Sequence, residues 1–122
     1  MEKAQLIQFE NAEENLHYEG IHDVDPRDLA KQMKNVHLVD VREPDEYKGE
    51  LGHIPGAELH PLGNIDEWCP SLPKNKTIVF VCRSGGRSAR AAAFASEHGF
   101  KNIFNLKGGM LLWNELHLPT EA

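Results

Sequence analysis

The chain has 122 residues, 40% hydrophobic and 26% charged, with a formal net charge of −6. That length suits one compact domain able to bury roughly two-thirds of its unfolded surface, and the balanced composition excludes a fully disordered or fibrous chain. The acidic balance disfavours a nucleic-acid partner, no run of about 18 apolar residues offers a membrane span, and the polar, acidic opening MEKAQLIQFENAEEN is unlike a secretory leader, so a cytoplasmic protein is expected.

Residues 1–20 read either as an N-terminal extension or as an edge strand through Leu6 to Phe9, with residues 21–122 forming a single domain. Asp25-Pro26 opens a helix: Asp accepts amide hydrogen bonds as N-cap, and Pro loses nothing at the first helical position. This helix is expected to run to about Lys34. Val36 to Val41 follows as a strand rich in β-branched residues. Glu43-Pro44 opens a second, short helix through Asp45, Glu46 and Tyr47, stopped at Gly49. Gly52 to Gly56 reads as a loop and Ala57 to His60 as a short strand, and a brief helix at Asn64 to Trp68 is confined by Pro61, Pro70 and Pro73.

Thr77 to Val81 is apolar almost throughout, the pattern of a strand buried on both faces. The alanine-rich Ser88 to His98 is the clearest helix, closed by Gly99. Asn102 to Leu106 reads as another strand and Met110 to His117 as a last helix after Gly108-Gly109. Strands alternating with helices point to a parallel α/β sheet.

The stretch Cys82-Arg83-Ser84-Gly85-Gly86-Arg87-Ser88 lies between the most apolar strand and the clearest helix. Ligands bind at the carboxyl ends of strands in open parallel sheets, where the next helix presents unpaired amides. Gly85 and Gly86 can take positive φ at no Cβ penalty, turning consecutive N–H groups inward as an anion nest. A helix N-terminus and nearby cations, here Arg83 and Arg87, favour the thiolate of Cys82 and make it a nucleophile without a dedicated base. A lone buried cysteine ordinarily just fills space. A structural turn, however, has no need of two arginines, two glycines and two serines in seven positions.

The other cysteine, Cys69, has no cationic neighbours in sequence and is expected to be inert. Two cysteines so far apart form neither a disulfide framework nor a C-x-x-C pair. The seven histidines are scattered without metal-ligand spacing, so neither a metal nor another cofactor is expected. Asp40 and Arg42 fall at the end of their strand, where they are expected to support the Cys82 loop through hydrogen bonds. His53 reads as a turn residue with its ring bonded to backbone. Ser88 is expected to cap the helix it opens or to contact substrate. Phe94, Phe100, Phe104 and Trp113 are expected to pack helices on the sheet.

Taken in order, Val39-Asp40-Val41-Arg42-Glu43 with Glu46-Tyr47, then Gly52 to Ala57, then the Cys82 loop, then Gly108-Gly109 with Trp113, resemble the signatures of the rhodanese homology family. The resemblance runs from about Val24 to Leu118. It implies a five-stranded, mainly parallel sheet flanked by helices on both faces. It also implies a sulfurtransferase in which Cys82 takes sulfane sulfur from thiosulfate or a similar small anionic donor. A cyanide or thiol acceptor would then remove it from a persulfide, with Arg83, Ser84, Gly85, Gly86, Arg87 and Ser88 binding substrate. A relay module exchanging sulfur with protein donors or acceptors would use the same chemistry. Cysteine phosphatases and arsenate reductases are less well matched. Only four residues separate Cys82 from Arg87, one fewer than in the phosphatase loop, a ring suited to a sulfur atom rather than a tetrahedral phosphate. A domain that keeps only the fold would be expected to have lost the nucleophile.

Overall fold

Ile78–Val81 carries no polar side chain and is fully buried, which requires neighbours on both edges and cover on both faces. The computed structural model, which describes residues 6–122, provides both. In chain order the elements are β1 (Glu13–Glu14), β2 (His22–Val24), α1 (Pro26–Ala30), β3 (His37–Asp40), α2 (Pro44–Tyr47), β4 (Glu58–Leu59), α3 (Ile65–Trp68), β5 (Ile78–Val81), α4 (Gly86–Glu97), β6 (Ile103–Leu106) and α5 (Gly109–Glu115). The sheet order is β1-β2-β6-β5-β3-β4, and every pairing is parallel except that of β1 with β2.

Alternation along β5 divides the interior. Ile78, Phe80 and then Cys82 face one layer, packed with Ala91, Ala92 and Ala95 of α4. Val79 and Val81 face the other, with Leu29 of α1 and Met110 and Trp113 of α5. The helix-flanked α/β sheet thus matches expectation, with six strands rather than five.

The additional strand is β1, whose two exposed glutamates pair with Asp23 and His22. It is not the Leu6 to Phe9 segment, one of the two readings of the N-terminal residues, which forms no strand. There, Ile7 N–H donates to the buried Thr77 Oγ1 at 2.7 Å and Phe9 packs edge-on against Phe104, so side chains rather than a ladder hold it. Residues 1–5 lie outside the described residues.

α1 opens as expected, with Asp25 accepting from Arg27 N–H at 2.8 Å and Pro26 at the first position, but ends at Ala30. Gln32 leaves the helical region and a separate 3-10 turn forms at Met33–Asn35. Short helices have little stability of their own. Here the fully buried Leu29 anchors the element, and the chain must straighten by His37 to pair with Ile78.

The carboxyl end of β3 holds the largest buried charge. Arg42, 1% exposed, donates through Nε and Nη2 to Asp40, which is completely buried, and through Nη1 and Nη2 to the carbonyls of Glu46 and Gly52. The pair therefore joins β3, α2 and the loop before β4. Removing one member of a buried pair strands the other without water. Arg42→Met is expected to cost about 3–5 kcal/mol of stability, read as a lowered urea midpoint.

Candidate active site

Cys82 directly follows β5 and is 1% exposed. The chain then reverses into α4 through Gly85, whose φ of 108° lies where residues with a Cβ are strained. This turn brings Gly85 N–H to 3.0 Å from Cys82 Sγ. Gly86, also expected to supply positive φ, does not: within this loop only Gly85 is left-handed. Gly85 also takes the N-cap position that Ser88 was expected to occupy. Ser88 sits one turn further in, fully buried, with Oγ 3.2 Å from Cys82 Sγ and 2.5 Å from Asn105 Oδ1.

The loop is held from beneath by α5. Met110 N–H donates to Cys82 O at 2.9 Å and Leu111 N–H to Arg83 O at 3.0 Å. For these amides to reach the carbonyls, Gly109 must pass against them. A Cβ at Gly109 would lie 2.5 Å from both carbonyl oxygens, and its φ is +56°. The glycine pair of the sequence thus has a physical reason at its second member.

The arginines are placed differently from expectation. Among the described residues neither donates a hydrogen bond to Cys82 Sγ. Arg87 turns away to α2 and grips Glu46 with both terminal nitrogens, Nη1 and Nη2, at 2.7 and 2.8 Å. This bidentate bond holds the Glu46 carboxyl at a pKa of about 2 and raises Arg87 above its ordinary value. A negative charge on Cys82 would favour the charged form of Arg87 through space, a smaller effect than the bond to Glu46. Arg83 is exposed and borders a cleft of about 240 Å³ with Asp45 and Glu50. Ser84 and Gly86 line an open cavity of about 550 Å³, facing Asn15 to Tyr18 across it.

Two polar residues at the site were not singled out in the sequence. Asn105, 2% exposed, lies on β6 opposite Phe80, and Asp23 lies opposite Asn105 on β2. Parallel register points their side chains to the same face, and Asn105 Nδ2 donates to Asp23 Oδ1 at 2.9 Å. The available signal was a buried-strand pattern interrupted by Asn near its carboxyl end. Strand β2 had no such signal, because HDV is short and mostly polar.

Other candidates lie away from the sulfur or serve structure. His53 stacks on Tyr47 with ring centroids 3.6 Å apart, and its Nδ1 meets Tyr47 O at 3.0 Å. Burial pushes the Cys69 thiol up, opposed by a smaller effect of Lys74. No group of three potential metal ligands occurs among the described residues, and no helix there is long and apolar enough to cross a membrane.

A loop of this form at the end of a central parallel strand defines a cysteine-centred α/β domain, and comparison with known proteins specifies its kind. The family described as Rhodanese-like domain matches residues 25–116, and the chain belongs to that family. It is 33% identical over 105 residues to a sulfurtransferase of Allochromatium vinosum, covering 84% of this chain and 96% of that protein. It is 37% identical over 95 residues to the probable adenylyltransferase/sulfurtransferase MoeZ of Mycobacterium tuberculosis, covering 76% of this chain but only 24% of that longer protein. Among solved structures, a rhodanese-related protein from Thermoplasma volcanium superposes with a TM-score of 0.76 at 31% identity, covering 81% of this chain and 96% of that one.

Two outcomes follow from this geometry. Gly109→Ala drives a Cβ into the Cys82 and Arg83 carbonyls and is expected to lower the melting temperature by several degrees, about 1–3 kcal/mol of strain, in a thermal scan. For Glu46, a folded pKa below the ordinary 4.5 means that its pairing stabilises the protein fully above that value and loses its contribution as pH falls through about 2. Because the pair is partly open to solvent, salt weakens this term. Glu46→Gln is expected to flatten the stability profile between pH 4.5 and about 2, measured by urea unfolding at each pH.

Proposed function

We propose that the protein is a sulfurtransferase carrying sulfur on Cys82. The observation that supports this most directly is the setting of Cys82 Sγ, which meets Gly85 N–H at 3.0 Å at the start of α4. The first helical bond of α4 runs from Ala89 N–H to Gly85 O, so the preceding amides have no partner within the helix and are available to an anion. The thiolate would attack the outer sulfur of thiosulfate. A new S–S bond forms, the old one breaks, and sulfite leaves with the bonding electrons. A nucleophilic acceptor such as cyanide or a thiol then takes the outer sulfur and the Cys82 thiolate is restored, a double displacement with ping-pong kinetics.

In this reading the ring formed by Arg83, Ser84, Gly85, Gly86 and Arg87 receives the donor, its peptide groups making the contacts and Arg83 adding exposed positive charge. The Arg87–Glu46 pair contributes by bracing the loop. The near-complete burial of Cys82 favours a slender approaching atom over a bulky phosphate ester, in keeping with the short loop. Cytoplasmic residence fits a working free thiol, which a reducing compartment preserves.

Exchange of sulfur with a protein partner is the second reading, and the open cavity of about 550 Å³ beside the loop supports it, being far larger than thiosulfate requires. Turnover that saturates with thiosulfate at about low-millimolar concentration favours the small donor, whereas turnover only with a persulfidated protein favours the relay. Intact mass after incubation with thiosulfate is expected to rise by about 32 Da, the mass of one sulfur atom, on the unsubstituted protein and not on Cys82→Ala, with the gain removed by cyanide. Hydrolysis of an aryl phosphate that disappears on Cys82→Ser, without sulfur loading, would overturn this reading.

A further inference from the structure

Ser88 Oγ carries one proton but stands within hydrogen-bond reach of two acceptors, Cys82 Sγ at 3.2 Å and Asn105 Oδ1 at 2.5 Å. The orientation of the Asn105 amide is decided on its far side. Asp23 Oδ1, which also accepts from Asn15 Nδ2 at 2.9 Å, accepts from Asn105 Nδ2 and so leaves the Asn105 carbonyl facing Ser88. Two oxygens at that separation need a proton between them, and the amide has none to offer from that side. Ser88 must therefore donate to Asn105. Its lone pairs are then directed to the sulfur, where they can accept from an S–H but repel a thiolate.

We propose that Asn105, oriented by Asp23, is a positioning residue that restrains ionisation of Cys82 by competing for the Ser88 proton. In the resting thiol, Cys82 S–H donates to Ser88 Oγ, Ser88 O–H donates to Asn105 Oδ1, and all three groups are satisfied. When Cys82 loses its proton to solvent, Ser88 either keeps its bond to Asn105 and faces the anion with lone pairs, or turns its hydrogen to the sulfur and leaves two oxygens in unshielded contact. Either arrangement costs free energy that the thiol form avoids.

The other charges around Cys82 bear on the anion but do not choose between these proton placements. Asp40 and Arg42 at the end of β3 bond to each other, Arg87 of α4 bonds Glu46 of α2, and Arg83 of the loop is exposed. On β6 and β2 the facing polar groups are Asn105 and Asp23 themselves. None of the charged groups hydrogen-bonds to Ser88 Oγ among the described residues.

The proposal deepens the sulfur-transfer reading by taking Cys82 as the reacting group, yet its test reads the thiol rather than the transfer. Iodoacetamide alkylation of Cys82 is followed across pH by peptide mass, which separates it from Cys69. Asn105→Ala is expected to react about three- to tenfold faster than the unsubstituted protein at pH 6.5 and at the same rate on the alkaline plateau of the profile. Asp23→Ala, at a partly exposed site, frees the amide to turn its Nδ2 toward Ser88. It is expected to move the profile the same way, and it supplies the result should Asn105→Ala fail to fold.

In a Ser88→Ala background both effects should vanish, since the competition needs the hydroxyl; an effect of lost charge or loosened packing would persist there. Unchanged profiles in the single variants, acceleration at all pH values alike, or acceleration that survives Ser88→Ala would overturn the proposal. Sulfur loading on the same proteins keeps the two readings apart. Absence of loading with shifted alkylation defeats sulfur transfer alone, and loading with unshifted alkylation defeats the role of Asn105 alone.

Discussion

The site depends on two hydrogen bonds that involve no side chain: the first amides of α5 hold the carbonyls of Cys82 and Arg83. A loop leaving the end of a buried strand has polar backbone that must be paired or hydrated. By satisfying two of its carbonyls from beneath, α5 fixes the plane of the peptides that follow. Gly85 can then turn its N–H back onto the sulfur. The close passage of Gly109 is the geometric condition for this support, which places residues far apart in sequence under one constraint.

Charge is used mainly to brace this arrangement. Arg42 with Asp40, and Arg87 with Glu46, tie the ends of β3, α2 and α4 around the loop. A guanidinium bonded through two of its nitrogens to a carboxylate is well suited to fixing geometry and less available to bind a second anion. The immediate surroundings of Cys82 Sγ are instead a peptide N–H and a hydroxyl. For the sulfur transfer proposed above, in which negative charge moves among a thiolate, a persulfide and a leaving anion, the fixed peptide dipole at Gly85 needs little reorganisation. The competition around Ser88 adds a control on when the sulfur becomes anionic.

Much of this was legible along the chain because the signals are local. The apolar run before Cys82, the alanine-rich helix after it, the Asp25-Pro26 cap and the paired glycines at the start of α5 are each read within a few residues, and each identifies an element, although the helix opened by Asp25-Pro26 stops four residues short of its expected end. Strand β2 escaped because three residues with two polar side chains carry no period, and it exists through its pairing with β6. The alternative of an edge strand at Leu6 to Phe9 had suitable residues, but Thr77 and Phe104 hold that segment through their side chains instead.

What the sequence by itself determined was the layered α/β plan, the position of Cys82 between a buried strand and a helix start, and the likeness of its ordered motifs to the rhodanese-like family. These rest on periodicity, caps and glycine spacing, all short-range properties of the chain. Only the tertiary structure decided which groups face the sulfur. Arg87 found Glu46, 41 positions away, Asn105 came to Ser88 across 17, and Asp23 came to Asn105 across 82. Such partnerships follow from strand order and register, because parallel neighbours at matching positions point the same way, and no local pattern encodes which strands become neighbours.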